Sequence, residues 1–349
     1  SVGAFALFGL GALPAGRLGD LWGRRIMMII FFAGMGGAAL VVAATQNAWQ
    51  LAAALTLLGA FSAIYHPVGI PMLVQHVSNP GAVIGINGLA GNLGIAVAAL
   101  VTGLLIKWFG WRAAFAVPGI ISIACGILFA LWCPREHEAP SQRKGGKARV
   151  VLTPAMLARA FMVMTVAAIA SSLIFNFTTN GNAQLLSAGF LGVVEDPAVL
   201  GAMLALVYAI ASLAQIVVGR LIDSMPFKPL QLWMSVAQIP LLILAAHTHD
   251  WWLFAALLAA MIFIFGSIPF TDAMIVRYVD DRLRSRVAGM RLTVAFGISS
   301  LAVWLLGPLV KTIGFAASLW ILAGIAAVRS AIVLLLPDEP PPVAEAAQT

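Results

Sequence analysis

The strongest constraint on this chain is that its apolar residues occur in long blocks separated by short polar gaps. Eleven blocks lie at residues 1–15, 26–44, 49–74, 83–106, 113–132, 156–180, 199–219, 230–246, 251–276, 292–310 and 315–336. Most have about the 20 residues that an α-helix needs to cross a hydrocarbon core about 30 Å thick. With 62% hydrophobic and 9% charged residues, the 349-residue chain is too apolar for a soluble enzyme. The sequence predicts an all-α integral membrane protein.

Basic residues are distributed unequally between the two sets of gaps. Sixteen lie in or beside the gaps on one side, and three, Lys107, Arg112 and Lys311, lie on the other. The positive-inside bias places the first set in the cytoplasm, together with the central linker and the C-terminal tail. The same bias explains the net charge of +7, so no nucleic-acid partner is predicted. We expect a multi-pass, monomeric protein of the cell (inner) membrane, with the lipid bilayer as its surroundings.

An internal repeat divides the chain. The segment Gly16-Arg17-Leu18-Gly19-Asp20 recurs as Gly219-Arg220-Leu221-Ile222-Asp223, and Lys107-Trp108-Phe109-Gly110 recurs as Lys311-Thr312-Ile313-Gly314, at offsets of 203 and 204 residues. Gly85 and Gly289 share this register. Such parallel repeats are typical of secondary transporters.

The repeat predicts two six-helix bundles. Residues 1–132 would hold spans 2–6, residues 133–155 a cytoplasmic linker, residues 156–336 spans 7–12, and residues 337–349 a disordered cytoplasmic tail. The counterpart of the block at 156–180 would lie before Ser1. We therefore expect that the first transmembrane helix is missing from this chain and that eleven spans are present.

The segment from Gly16 to Arg25 has the composition of a tight helix–helix turn. Gly16 and Gly23 allow close backbone approach, and Asp20 can cap the positive N-terminus of a helix. Arg24 and Arg25 are expected to anchor at lipid headgroups. Alternatively, these charges only fix the topology.

This segment, Gly16-Arg17-Leu18-Gly19-Asp20-Leu21-Trp22-Gly23-Arg24-Arg25, resembles the loop 2–3 signature of the major facilitator superfamily. The resemblance implies that Asp20 meets the start of span 11, near Gly289 to Arg291, and closes the inner gate in the outward-facing state. Asp223 would act in the same way against span 5. The second copy keeps Gly219 and Asp223 but lacks the second glycine and the arginine pair, so the two gates should differ in energy. A titratable His76 stands where relatives have a basic residue.

Few ionisable residues lie inside the apolar blocks, and these are functional candidates. His66 follows Tyr65 and precedes Pro67, which should kink span 4 and free carbonyl groups. Its imidazole would accept protons or bind substrate, or would pack with a hydrogen bond to Ser62. Asp272 would serve in gating or proton transfer, or would be neutralised by Arg277 or another loop cation. Arg329 is expected to snorkel to the headgroups.

Uncharged polar residues form two stripes. Asn176, Asn180 and Gln184 are spaced i, i+4, i+8 in span 7, and Tyr208, Ser212 and Gln215 share one face of span 8. In the superfamily that the chain resembles, spans 1, 4, 7 and 10 line the central cavity, so the span 7 stripe and His66 are the expected substrate contacts. Helix-to-helix hydrogen bonding is the alternative for the span 8 set.

These features together predict a secondary transporter. The sequence contains no catalytic constellation, metal-ligand cluster or nucleotide-binding loop, so we expect neither enzymatic activity nor a cofactor, and a proton as the coupling ion. The Tyr65-His66-Pro67 bend resembles that of fosmidomycin-resistance-type efflux carriers, which implies efflux of a small organic solute. Proton-coupled uptake of an anionic metabolite is the alternative, as is a non-transporting sensor or assembly factor.

Overall fold

The computed structural model describes residues 2–75, 77–143 and 153–337. His76, residues 144–152 of the predicted linker and residues 338–349 of the predicted tail lie outside these ranges. Every regular element in the described ranges is helical, which confirms the all-α fold class. The helices are α1 Val2–Trp22, α2 Arg24–Ala44, α3 Ala48–Ser62, α4 Ile70–Leu73, α5 Pro80–Phe109, α6 Ala113–Trp132, α7 Pro154–Gly189, α8 Pro197–Ser224, α9 Phe227–Val236, α10 Gln238–His247, α11 Asp250–Gly266, α12 Ile268–Tyr278 and α13 Arg284–Leu334.

Eight helical stretches in the described ranges are long and apolar enough to cross a membrane. They are Arg24–Ala44, Ala48–Leu73, Ala113–Trp132, Pro154–Gly189, Val199–Ser224, Phe227–His247, Asp250–Tyr278 and Trp304–Leu334. The chain is therefore a multi-pass membrane protein. The count of eleven spans and the domain boundaries stay predictions.

Prolines and a glycine account for the interruptions in the longer stretches. Between α3 and α4, residues Tyr65–Gly69 form one π-helical turn around Pro67, which has no N–H to donate. Pro240 and Pro269 follow the breaks between α9 and α10 and between α11 and α12 in the same manner. Gly314 has φ 79°, so α13 turns there and consists of two helices in succession.

The second repeat anchor has a structural counterpart. Gly110 ends α5 with φ 82° and ψ 167°, and Gly314 breaks α13 with φ 79° and ψ 172°. A positive φ strongly favours glycine, which explains why both copies of the segment end in this residue.

The two halves meet through two helix pairs. Helix α1 packs along α13, and α5 packs along α8. Within the first half, α2 contacts α3 and α6; within the second, α11 contacts α8 and α10, and α7 contacts α13. The candidate site lies where these pairs cross.

Candidate functional site

Two repeat-related aspartates cap two helices across the boundary between the halves. The Asp20 carboxylate accepts hydrogen bonds from the backbone N–H groups of Ser285 (3.3 Å) and Arg286 (2.8 Å) at the start of α13. The Asp223 carboxylate accepts them from Gly81 (2.9 Å) and Ala82 (2.8 Å) at the start of α5. The two aspartates are 203 residues apart, and the two pairs of N–H donors are 204 residues apart. The internal repeat therefore produces the same cap in each half.

The capped helix pairs are held close by glycines. A Cβ on Gly16 would lie 2.1 Å from the carbonyl oxygen of Ser285, and one on Gly289 would lie 2.3 Å from that of Ala12. The second pair repeats this contact, since a Cβ on Gly219 would lie 2.3 Å from the Gly81 oxygen and one on Gly85 the same distance from the Gln215 oxygen. Any side chain at these positions would force the helices apart.

Asp20 contacts α13 one turn closer to the N-terminus of that helix than the resemblance implies. The carboxylate binds Ser285 and Arg286, whereas Gly289 packs against α1 and Arg291 binds elsewhere. The reason is that orphan N–H groups occur only in the first turn of a helix, and α13 begins at Arg284.

The expectation that Arg24 and Arg25 anchor at lipid headgroups is wrong. Arg24 is fully buried and donates to the Asp281 carboxylate (2.8 Å), the Asp281 carbonyl (2.6 Å) and the Ser285 hydroxyl (3.1 Å). Arg25 donates to the carbonyls of Ala130 and Cys133 at the end of α6. Both guanidinium groups point into the protein, because they donate hydrogen bonds to carboxylate and carbonyl oxygens there.

Asp281 is the centre of a buried ionic cluster, called here the Arg24 network. It consists of Asp20, Arg24, Glu136, Arg143, Asp281 and Arg284. Burial acts to raise the pKa of the Asp281 carboxyl, but the charges of Arg24, Arg284 and Arg143 outweigh it and hold that pKa below its usual value. Asp281 is therefore ionised at neutral pH and binds three cations.

The beginning of the predicted linker is part of this network. Arg143 donates to Asp281 (2.9 Å) and to Glu136 (2.8 Å), and the Glu136 carboxylate caps α2 at the Arg25 N–H (2.9 Å). Pro140 is buried between them. Segments from both halves and the connection between them thus meet at one charge cluster.

The second helix pair has an aromatic residue where the first has Arg24. Phe227 stands at the position 203 residues after Arg24, and it is buried against Phe270 and Tyr278 with ring centroids 5.3 and 6.5 Å away. Asp223 is exposed, whereas Asp20 is fully buried. The two caps share a geometry but differ in their surroundings.

The helix pairs touch closely at the Asp20 end. On α5, Gly85 and Gly88 are in contact with Gln215 of α8. Between α1 and α13 the contact continues beyond Gly289, since Phe296 packs against Phe8 with ring centroids 4.8 Å apart. The double cap closes the halves together at the end marked by Asp20 and Asp223.

His66 lies at the π-helical bend, above this closed end. Its imidazole packs edge-on against Phe8 of α1 at 6.2 Å, and the bend also contacts α13. The alternative of a hydrogen bond to Ser62 is wrong: the described structure has none between the two side chains, and the Ser62 hydroxyl donates to the Leu58 carbonyl (2.7 Å). The neighbouring Tyr65 hydroxyl donates to Asn87 of α5 at 2.5 Å.

Asp272 is paired with Arg291, a basic residue of the gap before the block at 292–310, and not with Arg277. Its carboxylate accepts from Arg291 on α13 at 2.6 Å, with side-chain exposures of 13% and 7%. The bend that carries His66 contacts α13, the helix of Arg291. The expected partner, Arg277, instead places its guanidinium 5.7 Å from the Phe227 ring. Two spans of the second half and the bend of the first thus meet in one set of ionisable side chains, His66, Asp272 and Arg291.

The polar stripes are placed differently from each other. Asn180 and Gln184 are exposed and Asn176 is half-buried, so the span 7 stripe faces an open surface. Tyr208 of span 8 stacks on Phe265 at 5.7 Å and donates to the Thr179 carbonyl, within the second half. Gln215 is buried at the crossing with Gly88. Arg329 does not snorkel, since only 1% of it is exposed.

Sequence reasoning missed Asp281, Glu136, Arg143 and Arg291 as members of the site. The first three lie in polar segments between helices, where charged residues are ordinary and carry no local signal. Arg291 directly precedes the predicted span at 292–310, where a basic residue usually fixes the topology. Asp281 is recognisable as a site residue only in the folded structure, where Arg24, Arg143 and Arg284 surround its carboxylate.

Comparison with known proteins places the chain among transport proteins. The family model described as Major Facilitator Superfamily matches residues 1–195. A segment of 150 residues, 41% of this chain, is 29% identical to 26% of a probable actinorhodin transporter of Streptomyces coelicolor. A segment of 134 residues is 31% identical to 32% of the multidrug resistance protein MdtG of Escherichia coli. The matches thus span about a quarter to a third of the length of these relatives.

Solved structures match over nearly the whole chain. The proton:xylose symporter XylE aligns with a TM-score of 0.79 at 13% identity, over 97% of this chain and 85% of XylE. The E. coli fucose:proton symporter FucP aligns with a TM-score of 0.75 at 13% identity, over 96% of this chain and 89% of FucP. At this identity the likeness concerns the fold.

Proposed function

Because the chain belongs to the major facilitator superfamily, we propose that it is a secondary transporter that moves a small organic solute by alternating access, coupled to protons. The observation that carries this proposal is the double cap, in which Asp20 and Asp223 tie each half to a helix of the other half at one end only. Opening that end requires breaking contacts between halves and none within them. The Asp20 end faces the cytoplasm in this account, as the basic residues beside it favour.

His66, Asp272 and Arg291 form the proton-coupling site. Protonation of Asp272 removes its attraction for Arg291, a residue five positions from the N–H that Asp20 caps on the same helix. Helix α13 therefore connects the ion pair to the gate. The span 7 stripe and Tyr65 contribute hydrogen-bonding groups toward the solute.

Efflux is the proposed direction. It is supported by the names of the relatives, which include a probable actinorhodin transporter, a multidrug resistance protein and a puromycin resistance protein of Streptomyces alboniger. An antiporter binds the solute and the proton in alternation, so each proton that enters allows a solute molecule to leave. A lower pH outside the cell would therefore drive export.

The transport of an anion together with a proton is a second candidate. It is favoured by Arg291, whose Nη1 is buried and has no hydrogen-bond partner among the described residues. A solute carboxylate would accept a hydrogen bond from this Nη1 group when Asp272 is protonated. Asp272→Asn imitates the protonated acid. In such a symporter this variant should still bind the anion, and the binding should no longer depend on pH. In an antiporter the same variant should bind the solute more weakly.

The test is flux in proteoliposomes containing the full-length protein, with an imposed pH gradient and a panel of small organic compounds. His66→Ala should abolish proton-driven flux at unchanged expression, and His249→Ala, at an exposed histidine, should not. Unchanged pH dependence in His66→Ala would remove His66 from the coupling site. If no compound moves and loss of the protein instead alters a partner complex, the transport proposal is wrong.

A further inference from the structure

Arg329 is a buried charge that the proposed transport site does not use. It is 1% exposed, and its Nε and Nη2 atoms have no hydrogen-bond partner among the described residues. A guanidinium remains charged at neutral pH, and a buried charge without a partner is strongly destabilising.

Arg329 belongs to a polar layer between two apolar clusters of the second half. One cluster contains Leu242, Phe265 and Ala326, and the other contains Met234, Phe270 and Leu336. The residues between them along the chain include Gln238 on α10, Ser267 after α11 and Arg329 on α13. Three spans therefore place buried polar side chains at the same level.

Helix α13 packs against α10, which carries Gln238, and against α9, where Gln231 lies among residues of the second apolar cluster. Gln231, Ser235 and Gln238 are spaced i, i+4, i+7 on one face, and each is at most 1% exposed. Gln238 donates to Ser267 (2.9 Å), but both amide atoms of Gln231 are without a hydrogen-bond partner in the described part of the chain. The unused N–H donors are thus those of Arg329 and of the Gln231 amide, on two helices that pack together.

We propose that this layer binds a small inorganic anion, of the size of chloride, with Arg329 as its principal ligand and the Gln231 amide as a second donor. The anion neutralises the guanidinium and accepts the N–H groups that the protein itself leaves without partners. It stabilises the second half of the carrier and is not a transported solute. The site lies in the core of one half, away from the seam where the halves meet.

The experiment is thermal unfolding of the purified full-length protein in nanodiscs, titrated with chloride and, separately, with gluconate at equal ionic strength. Chloride should raise the Tm of the wild type saturably, by several degrees, and gluconate should not. Arg329→Met keeps the side-chain volume and should abolish the chloride dependence. Arg220→Met, at an exposed arginine of α8, is the matched control and should retain it.

Two results would overturn the proposal: a wild-type Tm that responds equally to both salts, as expected if the layer holds water only, or an unchanged chloride dependence in Arg329→Met. If that variant does not fold, Arg329→Lys replaces it. The chloride concentration that gives half of the Tm increase should be at least tenfold higher in Arg329→Lys than in the wild type, because lysine has no donors in place of Nε and Nη2. An unchanged concentration contradicts the assignment. Solute flux through the His66 site is measured separately, so the two proposals can fail independently.

Discussion

Replacement of Asp20 by asparagine should open the end of the protein that Asp20 and Asp223 hold closed. The carboxylate accepts two N–H groups of α13, is fully buried and lies 3.8 Å from Arg24. Asparagine retains one acceptor oxygen and loses the charge that interacts with the helix terminus. Hydrogen bonds to charged groups contribute about 1.5–3 kcal/mol each, so we expect a loss of about 2–3 kcal/mol from the closed state.

At about 1.4 kcal/mol per factor of ten, this loss increases the open fraction roughly 30- to 150-fold. Asp223→Asn provides the matched control. It removes the same kind of cap, but Asp223 is exposed and has no counterpart of Arg24, so we expect an increase of roughly tenfold or less.

The assay is labelling of a cysteine at Ala12, which is 2% exposed on α1 and lies against Gly289 at the crossing with α13. In a background where Cys125 and Cys133 are replaced by alanine, a membrane-impermeant maleimide is applied to inverted vesicles. The labelling rate follows the open fraction while that fraction is small. Equal rates for Asp20→Asn and the parent, or a larger effect from Asp223→Asn, would refute the reasoning about this gate.

Three further predictions concern the same closed end. Arg24→Gln should destabilise the closed state by about 3 kcal/mol or more, because it leaves Asp281 buried without its nearest cation, and the same labelling assay would show it. The lowered pKa of Asp281 means that its ion pairs are fully present above the ordinary carboxylate pKa and are lost as the pH falls through the lowered value. In the Asp20→Asn background, where that carboxyl no longer titrates, labelling should therefore be flat from pH 8 to about pH 5 and should rise only in stronger acid, and Asp281→Asn should remove that rise. Gly289→Ala should separate α1 from α13, since its Cβ would lie 2.3 Å from the Ala12 oxygen, whereas Gly297→Ala, with nothing within 4 Å, should increase thermal stability by about 1 kcal/mol.

The sequence predicted those features that depend on local chemistry. Blocks of apolar residues predicted the membrane helices, and the all-helical fold agrees. The recurrence of Gly-Arg-Leu-x-Asp predicted that Asp20 and Asp223 occupy equivalent places, because a capping carboxylate needs the same spacing from a glycine crossing in each copy. Pro67 predicted the bend in span 4 that contains His66.

The sequence did not predict interactions whose partners are far apart along the chain. Arg24 is 257 residues from Asp281, and no periodicity connects them. Arg329 and Arg291 were assigned to the membrane surface because a cation near the end of a span is usually found there. Their burial depends on which neighbouring helix faces them, and that is decided by tertiary packing.

The central claim is that the two halves rock about the seam, so that one side opens as the other closes. It is tested most directly by two spin-label distances in the same membrane-reconstituted full-length protein. Trp22 and Leu283, exposed at 55% and 44%, report on the Asp20 end, and Trp49 and Trp252, exposed at 87% and 78%, report on the far end. Under transport conditions, and in Asp20→Asn, the first distance should lengthen while the second shortens. If solute moves while both distances stay constant, or change in the same direction, the account is wrong.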